Sequence, residues 1–464
     1  MNQKYFKTLF IVLDSIAACI AWALFFIFRK TYIEHLPFEV SNRFYIGLLI
    51  VPLFWLAIYY FVGTYNNLRR VYFMRTLSQS LRAFLLGTLS IFFFLILDDE
   101  IAIHTDYYKL ILFLFLTHSV LTLVPRLLLT YLNVKQISSR KAGFRTLLIG
   151  GSEKAISIYK EVNELPKGTG SIFVGFVNLN GIDNELSNEL PHLGNTKDLE
   201  QIIDQHDIEE VIIALDSSEQ EKLKKIINRI QGRDITIKIS ANTYDLISGS
   251  VKTTNIFGAI LIEVDDVLMP HWQFVTKRLI DIFASSFAII LLLPVYIILA
   301  ILVKSSSKGP VFFVQERIGK NGIPFNIIKF RTMVVNAELG GPQLSSSEDK
   351  RITSIGKFMR KVRLDEIPQF WNVIRGDMSL VGPRPERQYF IDKIAEREPQ
   401  FLQLTKVKPG ITSWGQVKFG YAENVDEMLQ RMKYDLLYLK NMSLAIDFKI
   451  LLYTIIIVLK GSGK

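Results

Sequence analysis

One cysteine, Cys19, occurs in 464 residues. This excludes a disulfide or a cysteine-ligated metal site within one chain. No small-residue cleavage site follows the first apolar run; Arg29-Lys30 stands there instead, so the run is expected to remain a membrane segment rather than leave as a signal peptide. A full dinucleotide fingerprint is also missing. Gly150-Gly151-Ser152-Glu153-Lys154-Ala155 departs from G-x-G-x-x-G, and Glu153 would oppose a pyrophosphate at a helix start. Lys and Arg are absent from residues 98–108, and residues 282–303 hold no charge at all.

What is present is apolar and basic. Hydrophobic residues make up 50% of the chain and mean hydropathy is +0.27, the signature of a membrane protein. The length suggests roughly three domains. The net charge of +10 suits a cytoplasmic face meeting anionic lipid and phosphate ligands; no nucleic-acid partner is expected.

Four long apolar segments occupy the first third: Leu9 to Phe28, Phe44 to Val62, Phe84 to Leu97 and Leu110 to Leu132. Three reach the length that a hydrocarbon core of about 30 Å requires. The third is short unless Ser80 to Ala83 extend it. Lys4 and Lys7, then Arg69, Arg70, Arg75 and Arg82, then Lys135, Arg140, Lys141 and Arg145 mark inside loops. Asp98, Asp99, Glu100 and Asp106 mark an outside one. The expected topology has an inside N-terminus, four crossings and a cytoplasmic remainder. Asp14, within the first segment, reads as a polar residue packed against another helix.

Residues 145 to 265 alternate strands and helices. Strands are expected at Thr146 to Ile149, Phe173 to Val177, Val211 to Leu215 and Ile235 to Ile239, in an open, mostly parallel α/β sheet. With its glycine fingerprint broken, this Rossmann-like module reads as structural or regulatory, without a cofactor. The run from Ile282 to Val303 follows, with Lys277 and Arg278 before it, Lys304 and Lys308 after it, and Pro294 inside it. Basic flanks at both ends favour a re-entrant helix over residues 280–304, broken at Pro294; the alternative is a kinked spanning helix. The expected domains are 1–133, 134–270 and 271–464: an α-helical transmembrane bundle, the Rossmann-like domain, and a mainly α catalytic domain carrying the re-entrant helix. Leu451 to Leu459, between Lys449 and Lys460, suits an interfacial helix.

Past residue 305 short polar motifs crowd together: Gln315-Glu316-Arg317, Lys329-Phe330-Arg331-Thr332-Met333, Arg360 to Pro368, Gly382-Pro383-Arg384-Pro385 and Lys408-Pro409-Gly410-Ile411-Thr412. Arginines beside glycine and proline turns suit anion binding. Asp365-Glu366 stands among cations. On the residues alone it is an exposed helical pair balancing Arg360 and Arg363, or a reactive pair. Trp414 is placed to stack on a base or sugar, or to pack in the core.

Together with Lys277-Arg278-x-x-Asp281, Pro294, Tyr434-Asp435, Asn441-x-Ser443 and Asp447-x-Lys449-Ile450, these motifs make the chain resemble the bacterial sugar transferase family, the polyprenyl-phosphate hexose-1-phosphate transferases, in its large form. Leu293 stands before Pro294, where many members carry serine. The resemblance implies a membrane enzyme that transfers a hexose-1-phosphate from a UDP-sugar to undecaprenyl phosphate, with UMP released, at the cytoplasmic face of the bacterial inner membrane. This is the first step of exopolysaccharide, capsule or O-antigen assembly. It implies Asp365 as nucleophile of a covalent aspartyl phosphosugar, and Glu366 as a ligand of Mg²⁺ or as orienter of the acceptor phosphate. Mg²⁺ would sit at Asp365 and Glu366. Arg317, Lys329, Arg331, Arg360, Arg384 and Lys408 become phosphate-binding candidates. A homodimer through the middle domain is a separate expectation. Two other readings stay open. A non-catalytic, nucleotide-sensing scaffold of polysaccharide assembly predicts damaged motifs. An NAD-dependent sugar-modifying enzyme predicts an intact glycine fingerprint.

Overall fold

The computed structural model describes residues 3–66, 68, 72–96, 104–164, 170–179, 184–215, 219–230, 233, 235–240, 261–264, 268–334, 349, 351–420, 422 and 424–459. Of the topology markers, Arg69, Arg70, Asp98, Asp99 and Glu100 lie outside these residues, as does Lys460 at the C-terminal helix. The chain forms two compact units: Met1–Gln220 with Ile235–Val264, and Glu221–Asp234 with Asp265–Lys464.

The first unit begins with four helices long and apolar enough to cross a membrane, α1 (Gln3–Phe28), α2 (Asn42–Val62), α3 (Phe73–Ile96) and α4 (His104–Ser138). α4 shows how one sequence serves two surroundings. Leu112, Leu116, Val120, Val124 and Leu128 recur every four residues and are exposed, an apolar stripe suited to lipid. Leu110, Leu114, His118, Thr122, Arg126 and Thr130 recur with the same period and are buried. α3 starts well before Ser80, earlier than its apolar run suggests. The reason is that Thr76, Gln79 and Ser80 are polar yet buried, so the helix hides hydrogen-bonding groups that an average hydropathy counts against it. Thr76 shares a hydrogen bond with Thr130 at 3.1 Å.

Asp14 does face another helix. Its carboxylate meets the Arg126 guanidinium in a bidentate pair at 2.8 and 2.7 Å. Tyr65 donates to it at 2.8 Å, and Arg126 also donates to Ser80 at 3.1 Å. Both charged side chains are 2% exposed. A lone charge at this depth is costly, and each neutralises the other.

The sheet of this unit has the order β3-β2-β1-β4-β5-β6, from β1 (Phe144–Ile149), β2 (Ser171–Asn178), β3 (His192–Asn195), β4 (Glu210–Ile213), β5 (Thr236–Ser240) and β6 (Leu261–Glu263). β1 to β5 pair in parallel and β6 joins β5 antiparallel. The α/β expectation holds, with two further strands. β3 contains Gly194, and β6 has three residues; neither offers the alternation or apolar run that marks a strand.

The second unit opens with two half-helices, His271–Leu291 and Leu293–Ser306, bent by 62°. The break lies at Leu292, two residues before Pro294, which sits in the first turn of the second half-helix. A proline ring clashes with the carbonyl four residues earlier but is tolerated at a helix start, so the helix ends upstream of it. Leu299 and Val303 of the second half-helix pack on Phe330 and Met359. That core holds the hairpin β7 (Phe312–Ile318) and β8 (Pro324–Phe330) beside the helix Ser354–Lys361. The parallel pair β9 (Ser379–Val381) and β10 (Gly410–Thr412) and a further set of helices complete the unit. The last helix, Leu444–Leu459, leaves Phe448, Leu452, Ile455 and Ile456 exposed.

Candidate active site

After the helix Ser354–Lys361 the chain turns sharply. Arg363 takes the left-handed conformation (φ 58°), which a non-glycine residue holds only when its surroundings impose it. The next three residues, Leu364–Glu366, form one 3-10 turn. Asp365 and Glu366 are therefore not an exposed α-helical pair. They are 9% and 4% exposed, and point about 120° apart, as three residues per turn require. They meet different surroundings accordingly.

Glu366 is the anchored member. Lys329 lies 2.9 Å from it, Arg384 3.5 Å and Arg363 3.9 Å. Burial works against its charge, but Lys329, Arg384 and Arg363 prevail and hold its pKa well below the usual carboxylate range. Asp365 has no ion pair within 4 Å among the described residues. Burial and the neighbouring Glu366 charge push its pKa up, against the pull of Lys329 and Arg360. Lys329 is itself pushed down by burial, with Glu366 opposing. The site thus holds one firmly ionised, immobilised carboxylate and one more basic carboxylate with an oxygen lone pair to offer.

The supports are local. Ile327 enters the core, and Lys329, two residues on, shares its strand face and reaches Glu366. Arg360 donates to Thr332 at 3.0 Å. The Tyr296 hydroxyl, on the second half-helix, donates to the Ile367 carbonyl at 2.5 Å, tying the bent pair to the carboxylate turn. Arg384 is held by a close backbone approach. A Cβ on Gly382 would fall 2.4 Å from the Lys408 carbonyl oxygen, and one on Gly410 would fall 2.1 Å from the Gly382 nitrogen. Only glycines let the two turns lock, through Gly410 N–H to Pro383 at 2.9 Å and Gly382 N–H to Thr412 at 3.1 Å.

The structure gathers Asp365, Glu366, Lys329, Arg360 and Arg384, with Arg317 adjacent through its charge on Lys329. Arg317 also lies 3.6 Å from Glu386. Two candidates stand elsewhere. The Arg331 guanidinium donates to the carbonyls of Ser307 at 2.7 Å and Lys308 at 3.1 Å, closing the C-terminal end of the second half-helix; its chemistry is that of a positioning residue. Lys408 lines a separate cavity with Arg278 and Lys320. Trp414 packs against the hydrophobic core, not toward the carboxylates.

Three sets of residues stood in the sequence motifs without the roles that the structure gives them. Arg363 joins Glu366 because of its backbone conformation, which no motif announces. Lys277 and Asp281, one helical turn apart, lock the first half-helix: Lys277 donates to Asp447 at 2.7 Å and to the Val381 carbonyl at 2.9 Å, and Asp281 accepts from Leu380 N–H at 3.0 Å. Asp435, fully buried, accepts from Gly415 N–H at 2.9 Å, and burial pushes its pKa up to about 6.

No group of three or more His, Cys, Asp or Glu suited to a metal occurs among the described residues. The donor set therefore fits Mg²⁺ in one way: through Asp365 and oxygens of a bound diphosphate, since this ion commonly takes one or two carboxylates plus phosphates. Glu366, engaged by three cations, fits that role less well.

Residues 272–461 match the bacterial sugar transferase family, and residues 60–241 match the CoA-binding domain family. A UDP-N-acetylgalactosamine-undecaprenyl-phosphate N-acetylgalactosaminephosphotransferase of Aeromonas hydrophila is 44% identical over 42% of this chain and 46% of its own length. A UDP-glucose:undecaprenyl-phosphate glucose-1-phosphate transferase of Klebsiella pneumoniae is 33% identical over 53% of this chain and 54% of its own length. One of the same name in Caulobacter vibrioides is 38% identical over 39% of this chain and 68% of its own length. The chain thus spans about half the length of the first two relatives.

Proposed function

This chain belongs to the bacterial sugar transferase family, and from that premise we propose that it transfers a hexose-1-phosphate from a UDP-sugar to undecaprenyl phosphate, releasing UMP. The observation that carries the reading is the split pair: Asp365 buried, basic and without an ion pair among the described residues, beside Glu366 fixed by Lys329, Arg384 and Arg363.

The proposed reaction is a double displacement. An Asp365 carboxylate oxygen attacks the β-phosphorus, and the bond from that phosphorus to the bridging oxygen breaks. UMP leaves with the electron pair, and the hexose-1-phosphate stays on Asp365 as an acyl phosphate. An oxygen of the lipid phosphate then attacks the same phosphorus. The carboxylate is freed, and the product is the lipid diphosphate sugar. Every reactant is an anion, so Lys329, Arg360, Arg384 and Arg317 serve to offset charge on the donor and the developing transition state. Glu366 serves as the post that aims Lys329 and Arg384. Mg²⁺, when bound through Asp365 and the diphosphate, would supply further charge neutralisation.

The bent helix pair supports a re-entrant placement in the cytoplasmic leaflet of the inner membrane. Basic residues flank its charge-free run at both ends, and Tyr296 joins it to the carboxylate turn. This would bring a buried lipid phosphate and a soluble nucleotide sugar to one depth. The Rossmann-like module is proposed as a structural or regulatory element. The test is UMP release from a panel of UDP-glucose, UDP-galactose and amino- and deoxy-sugar donors, with undecaprenyl phosphate in nanodiscs. Release with at least one donor, dependent on the lipid phosphate for repeated turnover, is expected. No release with any donor would overturn the reading.

A further inference from the structure

A second basic site lies apart from Asp365. A cavity of about 340 Å³ is lined by Arg278, Lys320, Lys406 and Lys408 together with Phe274, Met269, Val407 and Met442. That volume falls in the range that holds a small ligand. It is separated from the carboxylates by the helix Gln369–Arg375, whose seven residues extend about 10 Å at 1.5 Å per residue. Arg278 donates to the Val373 and Ile374 carbonyls at the far end of that helix, 2.7 and 2.9 Å away.

The lining holds six cationic residues, Arg233 among them, and one carboxylate, Asp281. Lys277 is engaged by Asp447, and Asp281 by the Leu380 N–H. Lys320 and Lys408 form no ion pair among the described residues. Burial pushes the Lys408 pKa down, and so do Arg278 and Lys320, while Asp281 and Asp377 oppose the shift. An anion between these cations would relieve both burial and repulsion.

The surroundings indicate which anion. Phe274, Lys277, Arg278 and Asp281 lie on the first turns of the half-helix His271–Leu291. The same helix then runs into its charge-free part, where Phe283, Phe287 and Ile290 are exposed. The cavity therefore adjoins the turns just before the helix passes from charged to apolar residues, a pattern that suits the level of lipid headgroups. Its apolar lining residues are chemistry that a free phosphate would not use.

We propose that this cavity is a second anion site, which takes the phosphate headgroup of an anionic phospholipid with the start of its acyl region against Phe274 and Met442. The inference rests on the bent pair entering the bilayer and is independent of the transfer chemistry. Native mass spectrometry of the full chain, released from phosphatidylcholine nanodiscs carrying a minor fraction of phosphatidylglycerol, tests it. The wild type should retain one phosphatidylglycerol more than Lys320→Gln, with about a fivefold loss of retention for the exposed lysine's charge. Lys320→Arg should restore retention, which a purely structural effect would not. Excess UMP or inorganic phosphate should leave the lipid in place. Equal retention by wild type and Lys320→Gln, or release of the lipid by UMP or phosphate, would overturn the proposal.

Discussion

Two buried carboxylate sites of this chain lie beside arginine and behave in opposite ways. Asp14, in the helical bundle, has a bidentate partner in Arg126, with Tyr65 and Ser80 filling the remaining directions. One negative charge meets one positive charge, and the set is closed. In the second unit two carboxylates stand among Lys329, Arg360, Arg363 and Arg384, and the charges are shared unevenly. Among the described residues Glu366 has three ion-pair partners within 4 Å and Asp365 has none. A closed set holds helices together in a medium that punishes a lone charge. An open set leaves one carboxylate oxygen unengaged beside several cations, the arrangement that the proposed nucleophile and its anionic donor require.

That contrast is open to test. The largest effect is expected at Asp365. Asp365→Asn keeps the shape but removes the attacking oxygen's charge, and UMP release should fall by at least about a thousandfold, as for removal of a catalytic nucleophile. Glu366→Gln should leave Lys329 and Arg384 without their post and lower kcat by about a hundredfold, the scale of losing one preorganised electrostatic contact. It should also move the acid limb of the pH profile. Asp365 is raised by burial and by the Glu366 charge, so UMP release should decline as pH falls through a value above the ordinary carboxylate pKa of about 4. Without the Glu366 charge that limb should shift to lower pH. A limb unmoved in Glu366→Gln would break the link between the two carboxylates.

The bundle should respond in the other currency, stability. Asp14→Asn leaves Arg126 buried and unpaired, at a cost of about 3 kcal/mol. Thermal unfolding in detergent should shift down, while UMP release per folded molecule should stay near wild type. Asp14→Asn with Arg126→Gln should recover part of the loss. A fall in activity without a fall in stability would mean that the two regions are not separable in this way. The smallest effect is expected at Arg331→Lys. This exchange gives up the guanidinium fork on Ser307 and Lys308 and should lower stability by about 1 kcal/mol, with KM for the UDP-sugar little changed.

The same comparison shows what the amino-acid sequence makes legible. Long apolar runs, strand-helix alternation and Pro294 announced four helices, an α/β sheet and a bent pair, because each is a local pattern. The pairing of Asp14 with Arg126 was not legible, since hydropathy says nothing about which face of a helix a charge occupies. The same blindness hid the first turns of α3, where Thr76 and Ser80 point inward. In the second unit the motifs collected the relevant arginines and lysines but did not sort them. Arg331 and Lys329 lie two residues apart in one motif. Yet Lys329 reaches Glu366, while Arg331 closes the end of a helix. Strand direction and a distant helix terminus decide that. The left-handed Arg363, which no residue type foretells, decides that the carboxylates lie in a 3-10 turn.

The central claim is that Asp365 alone forms the bond to phosphorus, and intact-protein mass spectrometry tests it most directly. Wild-type protein in nanodiscs without undecaprenyl phosphate would be mixed with an active UDP-sugar and acid-quenched. The expected result is a mass gain of one hexose phosphate, matched by one UMP per active site, and no gain in Asp365→Asn. A full adduct on Asp365→Asn, or UMP formed by wild type only when the acceptor is present and with no adduct at any time, would contradict it.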